Sequence, residues 1–466
     1  MRTALASGIL LLLLTLTAGC TATRSQASMP PPVDDTTRGV FSERILPLLQ
    51  QKFAPLLRHE TGLRLDSWES LLAGSDHGAV VIPFDPENSL LIRLATRLPA
   101  GHPLRPYADA ITAGELETMR RWIADGARND DGAIPFADAT HRLYVASQDG
   151  ARVWILDMDH QVVIRTVDLQ ALGFSATAKP HHVAVEPDGS HWYVSLISDN
   201  KVLKFDRDNR LVGQVDFERP GMLALDPNRD SLYVGRSMAA VNPPQRIGII
   251  TRSTMELEEV GVFFPRPHAL VVDSRRNVVY SASLAENSIA VVDMTTGDVE
   301  LHRLDGPVHT LVQFALSPDG NTLVVGGEMT GKLLLFDASN PPELPLLATL
   351  DVPHGPWHPV FSPDGRFAYF GNKMHNSVTV VDVPAREVVT VIEGTGLSEP
   401  HGAALSPDGR YLFVSNNNLK GAYTPRYPFV DTPPPGTVVV IDTATHEIVK
   451  VMEIGPYGSG MGTAAR

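Results

Sequence analysis

The chain is 466 residues long, 43% hydrophobic and 20% charged, with a formal net charge of −14 at pH 7. That size and balance fit one large folded domain plus a small one, and an acidic surplus without a basic patch argues against nucleic-acid binding. The single cysteine excludes an intramolecular disulfide and a thiolate metal cage.

The first elements concern targeting. Arg2 gives a positive start, Leu5 to Leu16 are mostly apolar, and Leu16-Thr17-Ala18-Gly19-Cys20 follows. The run is too short to span a bilayer comfortably and ends in small residues, as a cleaved secretory signal does. Cys20 stands where a bacterial lipoprotein signal carries the lipidated residue, although Thr17 departs from the usual aliphatic residue. Residues 1–20 are therefore expected to be a lipoprotein signal peptide. The mature chain is then anchored to a membrane through lipidated Cys20, in the periplasm or cell envelope. Residues 21–40, with Pro30-Pro31-Pro32, read as a flexible tether.

Residues 41–128 read as helical. Apolar residues recur at three- and four-residue intervals from Phe41 to Leu49 and from Leu116 to Ile123, and Asp85 to Ser89 forms a cap before Leu90. The segments 62–67, 83–91 and Arg121-Trp122-Ile123-Ala124-Asp125-Gly126-Ala127 resemble landmarks of small bacterial c-type cytochrome domains. In that family a Cys-x-x-Cys-His motif precedes the first landmark, and the resemblance sets Phe53, Leu56 and Leu57 in its place. Leu98-Pro99-Ala100 stands where the methionine ligand belongs. The resemblance thus implies a haem-less domain, serving as a spacer or docking module.

Strand patterns begin near 139. Glu186-Pro187-Asp188-Gly189, Ser317-Pro318-Asp319-Gly320, Ser362-Pro363-Asp364-Gly365 and Ser406-Pro407-Asp408-Gly409 are hairpin turns, with glycine supplying the positive φ. Each precedes an alternating strand and then one ending in Asp, such as Val378 to Asp382. A period of roughly 40 to 50 residues with about four strands per repeat is a propeller signature. Pro180, Pro220, Pro267, Pro307, Pro356 and Pro400 are expected to open inner strands, and Pro456 to Met461 to close a seventh blade begun near 139. The fold class expected is mainly β: a seven-bladed β-propeller over 139–466 with a small N-terminal α-helical domain. Residues 139–466 resemble the YVTN-type, lactonase-like propellers, a family too broad in function for fold alone to decide activity.

Six histidines fall where these inner strands begin: His181, His182, His268, His309, His358 and His401. In a propeller the first strands line the channel, so five repeats would present imidazoles around one axis. Imidazole is a common metal ligand that suits copper, zinc, iron or nickel, and so many nitrogens exceed the need of one tetrahedral zinc. Copper, as a multinuclear cluster, is the expected cofactor. Counted to the turn proline or its equivalent, His181, His268 and His401 lie six positions ahead, His182 and His358 five, and His309 nine. Neighbouring strand residues face opposite ways, so regular strands could not converge all six; irregular ones could. Taken singly, each is also readable as a hydrogen-bonded residue of the channel rim.

The set resembles the copper-cluster domain of nitrous oxide reductases, in which a His-His pair and later single histidines from a seven-bladed propeller hold a copper–sulfide cluster. On that resemblance His181 and His182 match the pair and His268, His309, His358 and His401 match the single ligands, with Gly221 the vacancy. Thiocyanate dehydrogenases are the neighbouring comparison. Glu328, Lys373 and Lys420, at second-strand exits on the same face, are candidates for moving a proton or holding an anion, or are ordinary surface charges. The excursion from Lys420 to Pro435 is expected to cover the channel mouth or meet a partner. The function expected is a copper-cluster oxidoreductase reducing a small molecule, nitrous oxide first, with electrons from a separate donor protein. A non-catalytic envelope scaffold, which predicts no bound metal, and a haem d1-type propeller, which predicts fewer axial histidines, are the alternatives. No Gly-x-Ser-x-Gly elbow is present, and Gly458-x-Gly460-x-Gly462 lacks the setting of a nucleotide loop.

Overall fold

The computed structural model describes residues 39–464; the expected signal peptide, Cys20 and most of the tether lie outside them. Seven four-stranded antiparallel sheets stand in a ring, their innermost strands packed side by side around the axis. Blade 1 is a composite of Arg142–Ser147, Arg152–Asp157 and Val162–Asp168 with the C-terminal strand Gly458–Thr463 as its innermost member. The ring closes by joining the two ends, as expected. The other inner strands are Pro180–Val185, Pro220–Leu225, Pro267–Asp273, Leu311–Leu316, Pro356–Phe361 and Pro400–Leu405, which begin blades 2 to 7. One expectation fails here. Pro307 does not open the fifth inner strand, which starts at Leu311, so His309 falls in the loop before it.

Local chemistry fixes the blades. In the turns at 317–320, 362–365 and 406–409 the serine hydroxyl donates to the aspartate two residues on and accepts the N–H five residues on. The turn glycines take φ values of 77°, 73° and 73°, which other residues adopt only with strain. Second and third strands are buried almost throughout, whereas fourth strands such as Leu211–Asp216 alternate half-buried with exposed residues. The hydrophobic clusters therefore lie between blades and leave the channel to polar residues.

The helices lie N-terminal to the ring, from a π-helical turn at Phe41–Ile45 to Ala113–Ala124, the latter capped by Thr112 and Glu115. Phe53, Leu56, Leu57 and Leu98, set by the cytochrome resemblance at the haem-attaching and methionine positions, are buried together in this region's core. Tyr427, from the excursion in blade 7, is buried among them. The excursion thus grips the helical region: Arg426 and Tyr427 bond the buried Glu60, and Phe429 lies under Arg93. No described helix is long and apolar enough to cross a membrane.

Candidate metal centre

Every inner strand begins in the same irregular way. The residue just before it (Lys179, Arg219, Arg266, Thr310, Gly355, Glu399 and Tyr457) has positive φ. Its carbonyl accepts the N–H of the residue just after the second strand of its own blade, at 2.6–3.1 Å. Each inner strand then bulges: Pro180 pairs with Leu196 and Val183 with Val194, so three steps on one strand match two on the other, and the other six blades repeat the shift. A bulge sets two residues against one and re-aims their side chains. Consecutive residues can then both face the channel, which removes the register objection to His181 with His182 and to the one-residue offset of His358.

In strand order, the second position holds His181, His268 and His401 in blades 2, 4 and 7, and Trp357, Gly221, Val312 and Ser459 in the others. The third position holds His182 and His358 in blades 2 and 6. These five imidazoles form one unbroken set across the axis. Ring centroids are 5.9 Å apart for His268 and His181, 5.4 Å for His181 and His401, 4.9 Å for His401 and His358, and 5.9 Å for His358 and His182. His309 is outside it. Its Nδ1 meets the Thr330 hydroxyl at 2.7 Å and its backbone N–H donates to Asn287, as befits a loop residue ahead of the strand. The vacancy at Gly221 is structural as well, since a Cβ there would sit 2.7 Å from the Arg236 carbonyl.

Burial keeps these rings uncharged. It pulls His182 down to about 3 and His268 to about 4, and holds His181, His358 and His401 well below the usual imidazole range, with neighbouring histidines and Lys373 adding to the effect. At neutral pH each offers a lone pair. The His268 Nδ1 donates to the Arg236 carbonyl at 2.6 Å, which fixes the tautomer and frees Nε2 to accept or ligate. His181 Nδ1 faces the Gln148 amide at 3.0 Å. His182 Nδ1 accepts only a long contact, 3.4 Å, from Leu223 N–H. Four further nitrogens have no partner: His181 Nε2, His268 Nε2, His358 Nε2 and His401 Nδ1 are buried without a hydrogen bond. Each such atom costs about 1–3 kcal/mol, so four in one cluster are a strong physical argument that something else engages them.

Among the described residues, no three His, Cys, Asp or Glu side chains stand so as to hold a single ion. This argues against one ion on three preset ligands. It leaves room for several ions, each on one or two imidazoles with bridging groups from outside the chain. The donor set is neutral nitrogen only, a chemistry that suits copper, zinc, iron or nickel.

Second-strand exits form a crown above the histidines: Gln148, Ile197, Ser237, Leu284, Glu328, Lys373 and Asn417. Its polar arc runs over blades 5, 6, 7 and 1. Burial pulls the Lys373 ammonium down to about 8 against the opposing charges of Glu328 and Glu399, and raises the Glu328 carboxyl against the opposing charge of Lys373. The Lys373 Nζ lies 3.7 Å from the centre of the Trp357 ring, which meets His401 edge-on at 4.5 Å. Glu328 and Lys373 are thus within the site's surroundings. Lys420 stands farther out: its side chain is 74% exposed and turns to Glu399, 3.8 Å away, while its charge still acts on Lys373. Sequence reasoning missed Trp357 and Gln148. Trp357 was open to discovery, since it fills the slot between Pro356 and His358 that histidine fills in three other blades.

Residues 209–421 match the family model described as "Lactonase, 7-bladed beta-propeller". The matched part of the ring is similar to the lactonase propellers. This propeller is 25% identical over 228 residues to a 6-phosphogluconolactonase of Yersinia pestis (strain Pestoides F), covering 43% of this chain and 65% of that relative. It thus spans just under two thirds of that relative's length. To the 6-phosphogluconolactonase of Pectobacterium carotovorum subsp. carotovorum (strain PC1) it is 22% identical over 295 residues, 59% of this chain and 73% of the relative. A functionally unknown protein from Desulfotomaculum acetoxidans DSM 771 superposes with a TM-score of 0.55 at 13% identity, covering 69% of this chain and 98% of that one, a likeness of fold alone. The relatives bear the name of lactone hydrolases, not of copper enzymes.

Proposed function

We propose that the channel holds a multinuclear copper centre on His181, His182, His268, His358 and His401, and that the protein is an envelope oxidoreductase acting on a small molecule. The observation that carries this reading is the group of four buried, partnerless imidazole nitrogens meeting across the axis. When bound, the metal would supply one-electron redox chemistry. The chain's own residues keep the imidazoles neutral by burial, fix the His268 tautomer through Arg236, and place Lys373 and Glu328 to hold an anion or move a proton at the mouth. Nitrous oxide is the first substrate to try; its reduction to dinitrogen and water takes two electrons and two protons, so a separate carrier must bring the electrons. The apolar run ending at Cys20 supports a lipid anchor and an envelope location.

Lactone hydrolysis is the second reading, favoured by the names of the relatives. Ring centroids 4.9–5.9 Å apart leave no gap for a sugar lactone between the imidazoles. Such a substrate would have to stay at the crown. Metal analysis of protein loaded with copper in the periplasm separates the readings. We expect more than one copper per chain, falling sharply in His268→Ala/His401→Ala while circular dichroism stays that of the folded ring. Wild type that takes up no copper but hydrolyses 6-phosphogluconolactone establishes the second reading instead. Copper without nitrous oxide consumption from a reduced dye removes only the substrate.

A further inference from the structure

In a chain whose single cysteine is Cys20, the soft donors of the folded body are methionine sulfurs, and the fold treats them unequally. The chain has 12 methionines, and among the described residues the exposed ones are Met329, at 58%, and Met374, at 48%. Both stand at the channel mouth, each directly after a residue of the crown, Glu328 and Lys373. Methionine ordinarily fills irregular gaps in a core. Here two of them reach solvent on neighbouring blades, 5 and 6.

Backbone hydrogen bonds knit that place together. Gly355 N–H donates to the Glu328 carbonyl at 3.2 Å, Met374 N–H to the His354 carbonyl at 3.3 Å, and Met329 N–H to the His309 carbonyl at 3.1 Å. A Cβ on Gly355 would sit 3.1 Å from Met374 Cγ, and one on Gly331 3.5 Å from His354 Nδ1. The Met374 arm and the exposed His354 imidazole are therefore laid against the segment 354–355 and the turn 328–331, the turn that carries Met329. Two thioethers and an accessible imidazole make a neutral donor set. Imidazole alone does not discriminate among copper, zinc, iron and nickel, but thioether sulfur is soft and selects Cu(I). Glu328 and Lys373 act on each other with opposite charge at the edge of this cluster, so neither sign dominates there. We propose that Met329, Met374 and His354 form a Cu(I)-binding site at the mouth, through which copper enters the channel. This rests on the copper reading for the ion's destination, but the site is tested apart from it.

The test uses the full chain carrying Cys20→Ser, so that no thiol competes, together with His268→Ala/His401→Ala to remove ligands from the channel. The probes are Cu(I), competed against the chromophoric chelator bicinchoninate, and Ag(I), its redox-inert stand-in, followed by NMR of methyl-labelled methionine. We expect a single Cu(I) per chain and Ag(I) shifts confined to the Met329 and Met374 methyls, with Zn(II) displacing neither ion. Met329→Leu/Met374→Leu keeps side-chain volume and should weaken Cu(I) binding by at least about 100-fold, and His354→Gln by about tenfold. With the channel histidines restored, the leucine variant should take up copper more slowly yet reach the same final content. Cu(I) held as tightly by the leucine variant as by its parent, or no methyl shifted by Ag(I), overturns the proposal. Copper uptake by the leucine variant at the wild-type rate overturns the mouth as the way in. Cu(I) held by the methionines of a protein whose channel takes up none leaves the mouth site standing and removes the copper reading of the channel.

Discussion

The clearest chemistry resides in single rings. His268 titrates near 6.5 when unfolded and is held at about 4 in the fold by burial. A depressed histidine leaves the unfolded state binding more protons, so stability is present above 6.5 and is lost as pH falls towards the folded value. That one residue accounts for about 3 kcal/mol lost by pH 4, and the four buried alongside it act in the same direction. Urea unfolding of the metal-free protein should therefore show stability dropping steeply between pH 6.5 and 4, and His268→Gln should make the slope shallower. A midpoint independent of pH over that range would show that the rings are not buried as neutral imidazoles. At this scale the sequence was legible in part. Proline followed by histidine picks out His181, His268 and His401, whose rings meet at the axis, whereas the same pattern stretched to Pro307 takes in His309, whose ring lies apart. What separates them is where the strand starts, and Leu311, not a proline, starts the fifth.

The element that makes the site is the start of the inner strand, and it is hidden from sequence. The positive-φ residue and the bulge occur in all seven blades, including blade 3, with Gly221, and blade 5, with Val312, which contribute no imidazole. They are therefore properties of the fold, on which histidine has been placed in some blades. No residue type marks them: lysine, arginine, threonine, glycine, glutamate and tyrosine all occupy the left-handed position. The Pro-Asp-Gly turns at the other end were readable because their φ values demand glycine. Among the left-handed residues Thr310, at φ 58°, is the one with a β-branched side chain, for which that region is most strained. Thr310→Gly should thus raise stability by about 1 kcal/mol, within the usual range of relieved backbone strain. Denaturant midpoints test this, and a loss of stability would mean that the threonine side chain contributes more than its backbone conformation costs.

At the scale of the molecule, the ring has one seam, where the C-terminal strand Gly458–Thr463 completes blade 1 beside blade 7. Ser459 ties it on both sides, reaching the carbonyls of Ala146, Pro180 and His181 at 3.2 Å. The helical region lies across the same seam. Asp85 bonds Arg152 and Thr166 of blade 1, Glu60 bonds Arg426 and Tyr427 of blade 7, and the gap between is lined by Trp154, Val163 and Met452. Repeat spacing revealed the ring and its closure. It could not reveal this brace, because the contacting residues are far apart in the chain and of ordinary type. The Glu60 side chain is fully buried, so its ion pair with Arg426 is the sensitive joint. Arg426→Ala would strand that carboxylate, at a cost of about 3–5 kcal/mol, released by undocking the helices. The seam then loses its brace. Hydrogen exchange should accelerate at Gly458–Thr463 and Arg142–Ser147 and stay unchanged in blades 3 to 5, and Tyr427→Phe should give a weaker version of the same pattern. Uniform acceleration around the ring would mean that the helices stabilise the propeller as a whole and not its seam.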